Sequence, residues 1–474
     1  MTQSSRRGDG LIRTRRVRPR LGRLRLALVP LVVLTLAVGC TKQIEGSGSQ
    51  SQVRPGGDTN FQIIGDAGTA YDELAKKAMV DIYAFWDQEF PQLAGGAPFA
   101  DLAGGVWSVD GANPSKASLK EGCLAKSPSV VQDNLMHCRV DDSVAYDRTS
   151  KFFTDLVAQT GDFTLAAVFA HEIGHAIQYR LKITMPTVYA ETQADCFAGS
   201  WIGWILAGNG TNFRTSGDEL DLALTGYIQL RDPAGSDASD QSAHGNGFDR
   251  IAAVADGIQN GASYCVSNWQ KRGITERPYT SQADYNAGGD LPYNGDPAGN
   301  DTVTLGPADL ESFWKDAFAG SNRTWKPVTA QQTSKPSCST EKIKDIGYCS
   351  ATNTVQYKDD ELRGAHGYGD FAAMTMLGIG WGLSVRHQLG QETSDGAALL
   401  AAACYQGAYA ATRNVAVAPV GGTGLTLSPS DMDEGTIALL TLVGADTAYG
   451  DRGTQGYQRI QYFITGYFGG LPSC

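Results

Sequence analysis

The sequence predicts a mainly helical α+β fold built from one unit that occurs twice, and three observations carry that prediction. First, five stretches recur in the same order. DIYAFWDQEF (Asp81–Phe90) returns as DLESFWKDAF (Asp309–Phe318), and HCRVDDSVAYD (His137–Asp147) as YCSATNTVQYKD (Tyr348–Asp359). GDFTLAAVFAHEIGHAIQ (Gly161–Gln178) returns as GDFAAMTMLGIGWGLSVR (Gly369–Arg386), ADCFAGSW (Ala194–Trp201) as AACYQGAY (Ala402–Tyr409), and GFDRIAAVADGIQNGASYC (Gly247–Cys265) as GYQRIQYFITGYFGGLPSC (Gly456–Cys474). Second, the offset holds at 208 residues from Gly161 through Trp201 without a gap. Third, the repeated stretches are mostly long and apolar, as buried helices require, with only VAYD and VQYK reading as short strands.

In chain order each copy predicts an aromatic-bearing helix and a short hairpin around VAYD or VQYK. Two long apolar helices follow, then a helix near Leu220 or Thr436, and a last helix starting at FDRI or YQRI. The first unit is placed at residues 61–272 and the second at 305–474. Between them, residues 273–304 are rich in Gly, Pro, Asn and Asp and read as a linker. At 474 residues and 42% hydrophobic content the chain is long enough for two ordinary cores.

The first 39 residues are set apart by composition. Nine arginines between Arg6 and Arg25 precede a 14-residue apolar run, Leu26–Gly39, which is short for a membrane span of about 20 residues but suits the core of a signal peptide. Its ending, AVGC, resembles a bacterial lipoprotein signal, which implies a lipid on Cys40 and an anchored protein facing the extracytoplasmic side. Residues 40–60 are Gly- and Ser-rich without apolar periodicity and read as a flexible tether reaching on the order of 25 Å. Loss of residues 1–39 removes nine Arg and one Asp, which moves the formal charge from −11 to −19. That acidity excludes a nucleic-acid partner and repels anionic lipid, so membrane attachment falls to the acyl anchor.

Besides Cys40 the chain carries eight cysteines, an even number that suits disulfides in an exported protein. Eight cysteines allow 105 pairings, but a repeated fold should repeat its bridges. The expected pairs are Cys123–Cys138, Cys196–Cys265, Cys338–Cys349 and Cys404–Cys474.

The repeat also separates chemistry from architecture. Asp162/Asp370, Cys196/Cys404, Gly199/Gly407 and Arg250/Arg459 are shared and read as structural. In contrast His171, Glu172, His175, Glu191 and Asp195 become Ile379, Gly380, Leu383, Leu399 and Ala403, none of which can bind a metal through its side chain. Their joint loss points to five residues that work together and that the fold does not need. The stretch FAHEIGHAIQ (Phe169–Gln178) supplies the physical reason. Two histidines four apart lie on one helix face and can direct ring nitrogens at one zinc ion, while Glu172, about 100° aside, stands near the metal as a general base. Gly174 permits the close approach of another backbone or a substrate. On the next helix, expected to start near Thr187 after Pro186, Glu191 supplies a third ligand and leaves one position open. Asp195, four residues on, can accept a hydrogen bond from the other ring nitrogen of His171.

HEIGH, followed by ETQADCFAGSW and HGNGFDRIAAVADG, resembles the neutral zinc metallopeptidase family of bacteria, which includes actinobacterial lipoproteins. The resemblance covers roughly Asp81–Cys265, with a degenerate copy over the second half. It implies a zincin-like, gluzincin-type fold, one zinc ion held by His171, His175 and Glu191, Glu172 as base, and Asp195 behind His171. His244, in SAHGNGFD, has Gly453 at its counterpart and so disappears along with the ligands. It reads either as a donor to the oxyanion of a tetrahedral intermediate or as a capping or loop residue. His137, His366 and His387 have no such constellation and read as structural or exposed; Trp201 and Trp204 read as core.

The expected function is a lipid-anchored extracytoplasmic zinc endopeptidase acting on peptides or proteins, with a pseudo-peptidase second unit that could hold a protein partner. The alternative is a zinc-binding scaffold without peptidase activity, which a fourth protein ligand would favour.

Overall fold

A computed structural model describes residues 60–113, 128–269, 273–415, 423–444 and 448–474. The expected signal segment, Cys40 and nearly all of the tether lie outside these residues, as does Cys123.

The chain starts with a two-residue strand β1 (Ile63–Ile64) and helix α1 (Ala70–Leu93). Thr69 caps α1 in a reciprocal box with Asp72. The other oxygen of Asp72 accepts from Tyr146 Oη at 2.5 Å, which ties the helix start to the sheet. Strands β2 (Gly105–Val109), β3 (Leu135–Cys138) and β4 (Ser143–Asp147) follow. The sheet order is β1-β2-β4-β3, parallel except for the edge strand β3, which runs antiparallel to β4 with His137 opposite Val144. Helices α2 (Lys151–Thr160), α3 (Asp162–Arg180), α4 (Thr187–Leu206), α5 (Gly217–Tyr227) and α6 (Gly247–Ser267) complete the first half.

Apart from β1, the second half shows a similar order. Helix α8 (Thr302–Gly320) is followed by β5 (Thr329–Gln332), β6 (Ile346–Cys349) and β7 (Thr354–Tyr357). Again the middle strand pairs parallel on one side and antiparallel on the other. Then come α9 (Asp359–His366), α10 (Asp370–Gln388), α11 (Gly396–Arg413), α12 (Asp431–Ile437), which runs on into a π-helical turn, and α13 (Gly456–Gly469). The fold is thus α+β and mainly helical. The long helices, the hairpin and the start of α4 at Thr187 match the sequence reading; the parallel strands β1 and β2 and the helices α2 and α9 were not foreseen.

Helices α3 and α10 are apolar on nearly every face because each is wrapped by neighbours. Both follow a glycine with positive φ, Gly161 (83°) and Gly369 (129°), where a side chain would be strained. Close helix contacts recur at glycines as well. A Cβ on Gly174 would stand 3.0 Å from the Ala194 backbone, and one on Gly382 would stand 2.8 Å from Ala402. Gly174 therefore admits helix α4, not a substrate. Three of the four expected disulfides are present, Cys196–Cys265, Cys338–Cys349 and Cys404–Cys474, each inside one half. For loops of 69 and 70 residues the entropic model gives about 4 kcal/mol each.

The two halves meet through an exchange of helix caps. Asp221 on α5 accepts from the first amides of α13, Gly456 and Tyr457, while Asp433 on α12 accepts from Phe248 at the start of α6 and pairs with Arg231 at 2.8 Å. Phe248 packs edge-on against Tyr467 and Phe463 of α13. Buried residues of both halves belong to one continuous core. The intervening segment, expected as a linker, contains a short helix α7 (Gln282–Ala287) and is fastened along its length. Thr275 and Glu276 donate to Asp249, and Leu291 donates to Asp370. Among the described residues no helix is long and apolar enough to cross a membrane.

Candidate metal centre

His171, Glu172, His175, Glu191 and Asp195, which have only apolar residues or glycine 208 positions further on, converge in the first half. His171 and His175 project from one face of α3, their rings 4.7 Å apart, towards Glu191 on the first turns of α4. The Gly174–Ala194 contact sets how closely these two helices approach, and hence how near Glu191 comes to the imidazoles. The three donor atoms form a nearly equilateral triangle. His171 Nε2 lies 3.1 Å from His175 Nε2 and 3.2 Å from Glu191 Oε2, and His175 Nε2 lies 3.4 Å from the same oxygen. Two ligands each about 2.05 Å from a tetrahedral ion are separated by about 3.3 Å, so the triangle has the size zinc needs.

The opposite ring nitrogens each face an acceptor. His171 Nδ1 lies 2.6 Å from Asp195 Oδ1, and His175 Nδ1 lies 3.0 Å from Gln178 Oε1. With an acceptor at each Nδ1, the proton resides there and the Nε2 lone pair faces the ligand position. Gln178 is anchored in turn, donating to the Ala190 carbonyl at 2.6 Å and to Gln193.

Asp195 is fully buried and surrounded by donors. Besides His171 it accepts from Tyr227 Oη at 2.5 Å and from Arg250 Nε and Nη2 at 2.9 and 3.0 Å. Burial alone would raise its pKa, but Arg250 and His171 outweigh burial and hold it at about 2. Burial likewise opposes a charge on His171, yet the Asp195 carboxylate beside it lifts its pKa to about 10 when only protons compete for the ring. For Glu191 burial is outweighed by His175 and His171, so the carboxyl is held well below its usual range.

Glu172 points from α3 towards strand β3, where its Oε2 accepts the His137 amide at 2.7 Å. His137 itself is buried, with Nε2 3.1 Å from Asp142. A cavity of about 450 Å³ opens over these groups, lined by Leu135, Met136 and His137 of β3, by His171, Glu172, His175 and Glu191, and by His244 and Arg250. His244 is half exposed on this rim, with Nδ1 3.2 Å from Asp232 Oδ1. That hydrogen bond, partly offset by burial, raises its pKa and favours the imidazolium.

The arrangement brings together His171, Glu172, His175, Glu191, Asp195 and His244. Three participants were missed. Tyr227 lies on α5, where the repeat loses its register, and Gln178 is replaced by Arg386 without any motif to mark it. The His137 amide is a backbone group, which side-chain patterns do not reveal. Arg250, taken as structural because Arg459 matches it, has both roles. Each arginine donates to backbone carbonyls, Leu230 in one half and Leu439 in the other, and Arg250 alone also grips a carboxylate at Asp195. Trp201 is core, as expected, and Trp204 is partly buried.

No family model matches the chain, and no solved structure matches it. It is similar to the uncharacterized protein YpfJ of Escherichia coli (strain K12), with 30% identity over 157 residues that cover 29% of this chain and 49% of YpfJ. The corresponding protein of Escherichia coli O6:H1 matches to the same extent. The chain spans about half the length of the relatives it matches.

Proposed function

We propose that this protein is a zinc-dependent endopeptidase of zincin type whose first half is catalytic and whose second half is a degenerate copy. The observation that carries the reading is the donor triangle of His171, His175 and Glu191, with Glu172 beside it on the cavity wall. Zinc bound there would supply a Lewis acid that polarises a carbonyl and acidifies water. Glu172 accepts the proton of the attacking water as the C–O bond forms, then delivers it to the leaving nitrogen as the C–N bond breaks. His244, oriented by Asp232 on the cavity rim, donates to the developing oxyanion. Edge strand β3 lines the cavity beside Glu172 and offers an extended peptide an edge to pair with.

Support for duplication comes from the repeated element order, strand pairing, disulfides and glycine contacts. In the second half buried Ile379, Leu383 and Leu399 stand at the positions of the three donors, and buried Ala403 at that of Asp195. We place the protein on the extracytoplasmic side, anchored by a lipid on Cys40, from the residues of its N-terminal segment. The test is metal removal. A chelator should abolish cleavage of a mixed peptide library by the purified full chain, and stoichiometric zinc should restore it. Cleavage that persists in the metal-free protein would refute the proposal.

A further inference from the structure

We propose that the second half carries a calcium site formed by Asp290, Asp370, Asp431 and Glu434, separate from the zinc centre. One oxygen from each of these four carboxylates lies within 4.8 Å of the others. Asp370, Asp431 and Glu434 are at least nine-tenths buried. Among the described residues, no ion pair joins any of the four to Lys or Arg. Three of them are positioned by backbone or hydroxyl donors from outside the group. Asp370 Oδ2 accepts the Leu291 amide at 2.8 Å, Glu434 Oε2 accepts the Phe371 amide at 3.0 Å, and Asp431 accepts from the amide and hydroxyl of Ser428. These contacts fix the carboxylates without neutralising them.

A second observation points to a ligand. Asp370 Oδ1 is buried and has no hydrogen-bond partner, a costly state for a carboxylate oxygen unless something else binds it. Glycine at position 369 is also required here, because a Cβ would collide with the Glu434 carboxylate. Burial, with the neighbouring carboxyl groups, raises the pKa of Asp370 to about 7 and pushes Asp431 and Glu434 well above the carboxylate range, so the cluster resists carrying its full negative charge by itself. A divalent cation removes that conflict directly. The donor set is oxygen only, which suits a hard ion, and carboxylates clustered with several buried oxygens favour calcium over zinc. A cavity of about 340 Å³ reaches Asp370 and gives an ion a route in.

The site would also fasten the fold. Asp290 belongs to the segment between the halves, Asp370 opens α10, and Asp431 and Glu434 lie on α12, so one ion would lock three elements together. The test is equilibrium dialysis and thermal unfolding of the purified full chain with calcium chloride as the probe. Wild type should bind calcium and gain roughly 3–5 °C in Tm at a hundredfold excess over Kd. The double variant Asp431→Asn, Glu434→Gln should bind none and show no shift. The partly exposed Asp290→Asn should fold normally and bind at least about tenfold more weakly, which keeps the test decisive if the double variant fails to fold. His171→Ala should retain the calcium shift in full. Absence of binding by wild type at millimolar calcium, or equal binding by wild type and Asp290→Asn, would overturn the proposal.

Discussion

Glu172→Gln is expected to lower peptide turnover by about 10² to 10⁴ while leaving zinc bound and the fold intact. The structure shows why this substitution isolates one property. Glu172 stands outside the donor triangle, and its Oε2 accepts the His137 amide at 2.7 Å, a bond that the amide oxygen of Gln can also accept. Size, packing and the tie to β3 survive, and only the capacity to take a proton is lost. Metal content and unfolding midpoint should match wild type when measured on the variant used for kinetics. Turnover equal to wild type would remove Glu172 as the base.

The second large effect is expected from Asp195→Ala, and it should appear in stability as well as in metal affinity. The carboxylate takes both Nε and Nη2 of Arg250 in a buried site, so its removal strands a buried guanidinium. Breaking such a pair typically costs about 3–5 kcal/mol. His171 would lose the acceptor at Nδ1 that fixes its tautomer, and loss of such a partner commonly weakens metal binding about 10- to 100-fold. Denaturant unfolding of the zinc-free protein measures the first effect and competition with a chelator the second. The double variant Asp195→Ala, Arg250→Met should recover much of the stability, because no unpaired charge is left, but not the zinc affinity. Full retention of zinc affinity in Asp195→Ala would contradict the role given to this residue.

What the sequence made legible depended on the internal comparison. His171, Glu172, His175, Glu191 and Asp195 stood out because the matching stretches of the second half carry Ile379, Gly380, Leu383, Leu399 and Ala403 in their places. The long helices were readable from their apolar runs, one of them starting after Pro186. Strands β1 and β2 escaped because each is short and parallel, and parallel pairing joins segments too far apart to leave a turn signal. Tyr227 escaped for a related reason, since it reaches Asp195 from a helix 32 residues further along the chain. The acidic cluster of the second half was invisible because its members come from three separate elements. Asp370 even read as purely structural, being shared with Asp162.

The central claim is that His171, His175 and Glu191 hold a catalytic zinc ion, and the most direct measurement is zinc per chain together with peptide turnover on the same samples of wild type and His171→Ala. The account predicts one zinc and cleavage for wild type, and neither for His171→Ala, with the fold preserved because Ile379 fills the equivalent place in the second half as buried core. Undiminished zinc in His171→Ala would contradict the site, and wild type that carries a full zinc complement but cleaves no peptide would contradict the enzyme and favour a zinc-bearing scaffold.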